Sequence, residues 1–168
     1  MKADYHPVQD NREVERMLEG TYHGVLTMST GGEPYGVPLN HAYQSGKFYF
    51  HCAPEGKKLD CIRENPKVCY VVGRHWGSPE DFKQDMKCHG RWESVIAHGR
   101  AVIIEDRERL REAFSVFMAY YGNPDYEPKE SGYDETRSIV LYVERMTARR
   151  EYDQYRTEFW TWEPEEDI

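Results

Sequence analysis

The residues best equipped for chemistry stand together in "YFHCAPEGKKLDCIRENP", residues 49–66: an imidazole, His51, beside a thiol, Cys52, then Pro54, Gly56 and the pair Lys57-Lys58. A histidine next to a cysteine invites a nucleophile-and-base reading. However, Phe48-Tyr49-Phe50 reads as a strand running into the pair, and adjacent strand side chains point to opposite faces. No Cys-His dyad is expected, and Ser94 and His98, on one strand face but about 13 Å apart at the usual rise, do not support hydrolysis. The lysines point to different chemistry. Pro54 suits the start of a helix and Asn65-Pro66 closes it, which puts Lys57 and Lys58 in the first turn. Cations there oppose the helix dipole by about 0.3–1 kcal/mol. A phosphate, held by free N–H groups and one or both ammonium groups while Gly56 lets the backbone approach, would justify them; the alternative is two solvated surface lysines.

The elements that must carry these residues are legible from patterning. Asp10-Asn11-Arg12-Glu13 has the form of a capping box ahead of Val14, Met17 and Leu18, which predicts a short amphipathic helix. "HGVLTMST", "YGVPLNHAY", "FYFHC" and "KVCYVV" read as consecutive strands separated by turn residues. Pro38 belongs at an edge, a strand end or a bulge, and would leave backbone groups near Leu39 and Asn40 free for a ligand. "GRHWGSPEDFKQDMKC" reads as an irregular excursion. "WESVIAHGRAVII" is a long strand in which Gly99 marks a bend or a close backbone approach. Asp106 caps a helix that presents Leu110, Ala113, Phe114, Phe117, Met118 and Tyr121 on one face and ends at Gly122-Asn123-Pro124. "SIVLYVERMTARREY" is the last long strand. Six strands, mostly consecutive, with two or three short peripheral helices predict an α+β domain, mainly β, built on an antiparallel barrel or sheet. Without a βαβ rhythm or a GxGxxG motif, a Rossmann domain is not expected.

Totals narrow the function. A chain of 168 residues, 39% hydrophobic, has enough for one good core. A net charge of −8 argues against a nucleic-acid or anionic-membrane surface. No apolar run approaches eighteen residues and no charged-then-apolar leader is visible, so a cytoplasmic location is expected. Cys52, Cys61, Cys69 and Cys88 lack metal-site spacing and read as reduced, mostly buried thiols; no metal site is expected.

Three stretches, "GEPYGVPLNHAY", "FYFHCAPEGKKLDCIRENPKVCYVV" and "WESVIAHGRAVIIEDRERLREAF", together resemble the flavin-binding split β-barrel proteins related to pyridoxamine 5'-phosphate oxidase, and within them the nitroimidazole-resistance (Nim) branch. The resemblance covers about residues 10 to 148. It implies an antiparallel split β-barrel over residues 1–150, with 151–168 as an aromatic and acidic extension packing on it or on a partner subunit. It also implies FMN as cofactor, with FAD as the alternative, and a homodimer with cofactor sites at the interface. Carried over residue by residue, the phosphate falls to the 51–58 segment, with Cys52, Lys57 and Lys58. Ring contacts fall to Val37, Pro38, Leu39 and Asn40 and to Glu93, Ser94 and Val95. His51 falls at the position of the Nim active-site histidine, suited to protonating a reduced acceptor near neutral pH. The expected activity is a flavin-dependent oxidoreductase passing electrons from a small donor to a small acceptor; the alternatives are a non-catalytic flavin binder and a haem-binding relative.

Overall fold

The computed structural model describes residues 6–76, 91–151 and 157–165. It opens with a short strand, β1 (Val8–Gln9), and helix α1 (Asn11–Leu18). The Asp10 carboxylate accepts the Glu13 N–H at 3.0 Å, which satisfies one of the helix's orphan donors. The reciprocal half of the predicted capping box does not form. Asp10 N–H donates to the Thr161 carbonyl instead, and the Glu13 carboxylate turns to Arg16 and Arg150. Val14, Met17 and Leu18 are buried as their spacing predicts.

β2 (His23–Thr30) pairs over its whole length with β3 (Glu33–Asn40). The predicted strand "YGVPLNHAY" is broken at His41, whose side chain is drawn into the core, and resumes as β4 (Ala42–Gln44). β5 (Lys47–Cys52), β6 (Lys67–Trp76), β7 (Arg91–Ile104), β8 (Arg137–Glu151) and β9 (Thr157–Trp162) complete the sheet. Its order is β1-β9-β8-β7-β6-β2-β3, with β5 on β8 and β4 on β5. All pairings are antiparallel except β1 with β9, so the sheet is mixed. On one side β8 meets β7; on the other it pairs first with β5, through Arg137–Tyr142, and then with β9, through Met146–Glu151.

Three expectations are corrected. The described residues hold four helices rather than two or three: α1, α2 (Lys57–Glu64), α3 (Arg107–Tyr120) and α4 (Glu130–Asp134). Helix α2 begins at Lys57, three residues after Pro54, with Gly56 as its N-cap. Gly73–Trp76 are strand rather than excursion, paired from Gly73↔Ser94 to Trp76↔Arg91, while the rest of that stretch, 77–88 with Cys88, lies outside the described residues.

Strand alternation sorts the side chains onto two faces. Leu26, Phe48, Phe50, Tyr70, Ile139 and Leu141 line the principal core, and the opposite face of β8 carries a second small core of Ile104, Leu110, Tyr133 and Val140 under α3 and α4. Gly99 is the close approach the sequence suggests. A Cβ there would meet the Tyr142 carbonyl oxygen at 2.0 Å, and the β7/β8 register shifts beside it, so that Gly99 faces Val143 while His98 faces Arg145. Among the described residues no helix is long and apolar enough to cross a membrane.

Candidate functional site

β5 delivers the two reactive groups of the opening motif to opposite faces. Cys52 points inward and is buried; His51 points outward and is exposed, its ring edge-on to Phe117 of α3 at 4.6 Å between centroids, with Phe114 at 6.2 Å. Although the residue as a whole is exposed, partial burial of its ring against these aromatics lowers the His51 pKa from its ordinary value, so the imidazole is mainly neutral at pH 7. The absence of a Cys-His dyad follows directly from this alternation.

Immediately beyond, the chain bends through Pro54–Gly56 into α2. Gly56 has φ +135°, a conformation open to glycine and strained for other residues, and space is free where its Cβ would be. It supplies no side-chain cap, and its carbonyl accepts the Leu59 N–H at 2.9 Å, so the N–H groups left without an intrahelical acceptor are those of Lys57 and Lys58. Lys57 leans onto the Tyr35 ring of β3, with Nζ 4.6 Å from the centroid, which joins the start of α2 to the strand carrying Val37–Asn40. Lys58 acts on the Cys52 thiol together with a residue the sequence reading missed, Arg137. Burial pushes that thiol's pKa up, and the charges of Lys58 and Arg137 partly offset the rise. Arg137 is the cross-strand partner of Cys52. Its Nε is buried without a hydrogen-bond partner among the described residues, 3.8 Å from Glu105. Lys58 and Arg137 thus both act on Cys52, Lys57 stands beside Gly56 at the start of the same helix, and Arg137 carries a buried donor with no hydrogen-bond partner among the described residues: groups of the kind that hold a phosphate.

Val37, Pro38, Leu39 and Asn40 lie on β3, the last strand of the sheet path. His41 N–H donates to the Tyr22 carbonyl, so by strand alternation the backbone groups of Pro34, Gly36, Pro38 and Asn40 face away from β2, towards the open edge. The two prolines bring no N–H to that edge, which leaves the donors of Gly36 and Asn40 and the carbonyls of all four.

Glu93, Ser94 and Val95 are placed differently. Ser94 faces outward at half exposure, and Val95 is in the core. The Glu93 carboxylate is buried and held by Arg74 at 2.9 Å and by Arg150; Arg150 in turn reaches Glu13 at 2.6 Å, and Glu13 holds Arg16 at 2.8 Å. This chain of charges fastens α1 to β6, β7 and β8. The register puts β2 and β6 between β3 and β7, so Val37–Asn40 and Glu93–Val95 are three strand spacings apart, about 14 Å along the sheet. The chain therefore brings Lys57 onto β3 and leaves Glu93–Val95 apart from both. A groove of about 750 Å³ between α3 and α4, lined by Phe114, Tyr126 and Tyr133, holds none of the predicted site residues.

Comparison with known proteins agrees with this architecture. The fold matches a candidate 5-nitroimidazole antibiotic resistance protein from Bacteroides thetaiotaomicron, with TM-score 0.72 and 24% identity over 84% of each chain. It also matches a FAD-binding protein from Mesorhizobium loti, with TM-score 0.63 and 22% identity over 84% of this chain and 95% of that one. A third match is the FAD binding protein of Mycobacterium smegmatis, with TM-score 0.57 and 20% identity over 84% of this chain and 97% of that one. No curated protein matches the sequence. The family model described as pyridoxamine 5'-phosphate oxidase matches residues 10–150, and the chain belongs to that family.

Proposed function

We infer that this protein binds a flavin, FMN in the first instance, and uses it to pass electrons from a small donor to a small acceptor. The observation that carries the reading is a helix start capped by bare Gly56 and carrying Lys57 and Lys58, next to Cys52, on whose thiol both Lys58 and Arg137 act, with the buried Arg137 Nε lacking a hydrogen-bond partner among the described residues. In this reading the sheet is the antiparallel split barrel of the family, and residues 157–162 extend it as β9 against β8. The flavin supplies the redox chemistry when bound; the chain's own residues bind, orient and handle protons. Lys57, Lys58, Arg137 and the free N–H groups of α2 hold the phosphate. The open edge of β3 offers backbone donors and acceptors to the ring. His51 Nδ1 or Nε2 carries the proton given to the acceptor, and Phe117 restricts its orientation.

Because Ser94 lies three strands from β3, a ring touching both sets of residues needs a second subunit, which supports a homodimer with shared sites. Outward-facing Val25, Val71 and Ile96 form an apolar row across β2, β6 and β7 that a partner would cover.

Steady-state turnover with a reduced nicotinamide donor and a nitroaromatic acceptor tests the catalytic part. His51→Gln is expected to keep its flavin and lose about a hundredfold in kcat. Unchanged kcat in flavin-loaded His51→Gln would remove the histidine from the chemistry, and flavin retention with no turnover would leave a binding protein.

A further inference from the structure

His41, at the break between β3 and β4, has no solvent exposure and lies outside the chemistry described above. Its imidazole sits in a line of four polar contacts. Tyr70 Oη is 3.0 Å from the Leu39 carbonyl and 2.8 Å from His41 Nδ1; His41 Nε2 is 3.2 Å from Thr21 Oγ1, and Thr21 Oγ1 is 2.6 Å from the Leu18 carbonyl. Both ends of the line are acceptors. Four contacts need four hydrogens, and Tyr70 and Thr21 bring one each, so a neutral imidazole with one leaves the line a hydrogen short whichever nitrogen carries it. A doubly protonated imidazole fills every contact.

The geometry points to His41 as a proton-uptake site wired to β3: when negative charge is added to a cofactor lying along Val37–Asn40, the imidazole takes a second proton from solvent, completing the line and offsetting that charge. The inference rests on the proposed flavin site. The balance is simple: a hydride donor delivers two electrons and one proton, leaving one added negative charge, and the proton on His41 compensates it. Among the described residues the titratable groups facing His41 are Tyr70 of β6, Tyr120 of α3 and, acting through its charge, His23 of β2; Phe48 of β5 and Thr21 bring none. Burial, with His23 acting in the same direction, lowers the His41 pKa to about 4, so the position stands empty at neutral pH until charge is added. His41 directly follows Asn40, which places it within short electrostatic range of anything on that edge.

The test is an NMR titration of ¹⁵N-histidine-labelled full-length protein, flavin-free, FMN-loaded, and FMN-loaded after reduction by dithionite. Reduction is expected to raise the His41 midpoint by about one pH unit or more. In any one cofactor state Tyr70→Phe, which keeps the ring and removes an acceptor for the charged imidazole, is expected to lower it, and Thr21→Ala to do the same at the other nitrogen. An unmoved midpoint in protein that visibly holds FMN would overturn the uptake, and an unchanged or raised midpoint in both variants would overturn the proton line. Failure to hold FMN is read from the absorption spectrum before any titration; it defeats the flavin-site reading first and this inference with it.

Discussion

At the start of α2 two lysines stand where the helix field opposes them, and the structure adds a third cation, Arg137, with a buried Nε that no described group accepts. Lys57 and Lys58 are legible in sequence because helix ends and glycine are local signals. Arg137 is not, since only the β5/β8 register sets it opposite Cys52. A charge-assisted hydrogen bond to a phosphate predicts that Arg137→Gln weakens FMN binding by about tenfold or more while leaving the fold intact, measured by fluorescence titration. His51 makes a pH prediction. Burial lowers its pKa, so the protonated donor form grows only as pH falls below the ordinary histidine value. The acceptor-reduction rate should fall as pH rises through a midpoint under about 6.5, and this limb should vanish in His51→Gln. Persistence of the limb would assign it to another group.

Elements were legible where the pattern is local. Period-two alternation marks β2, β5, β7 and β8 to within a residue or two, and Asp106 caps α3 through its bond to Arg109 N–H at 3.0 Å. What sequence missed depends on distant partners. β3 and β4 are separated because His41 turns inward to Tyr70 and Thr21. β6 runs past Gly73 because Arg74 is held by Glu93 across the strand pair. The five residues of α4 carry no local helix signal, and Arg107 and Arg111 pin them through Glu130 and Asp134. The β7/β8 crossing admits no side chain at Gly99. Gly99→Ala should therefore cost about 2 kcal/mol or more, read as a lowered urea midpoint; a change within about 0.5 kcal/mol would show that the strands can separate there.

For the whole molecule, His41 and Glu13 make the largest of several contributions to the acid response, since His51 and His98 are also lowered by burial. His41 has its pKa lowered to about 4 by burial, so its neutral form is favoured in the fold. That stability, about 3 kcal/mol, is fully present above the unfolded histidine value near 6.5 and is lost as pH falls towards 4. Glu13 is lowered to about 2, first by Arg16 and then by Arg150, so its contribution is present above about 4.5 and lost below it. The Tm should be flat above about pH 6.5, fall below that, and fall more steeply under about 4.5, with the first limb reduced in His41→Gln to the part that His51 and His98 supply. If the proposed homodimer forms through the row of Val25, Val71 and Ile96, wild-type protein should sediment as a dimer and Ile96→Glu as a monomer that loses flavin; monomers that keep flavin would confine the site to one chain. Whether the start of α2 grips a flavin phosphate is read most directly from the visible spectrum of purified protein after incubation with FMN or FAD and removal of free cofactor. Close to one retained flavin per chain is expected in the wild type and little in the Lys57→Ala, Lys58→Ala double variant. A folded wild type that retains neither flavin, or a double variant that retains it fully, would show that no flavin phosphate is held by these lysines.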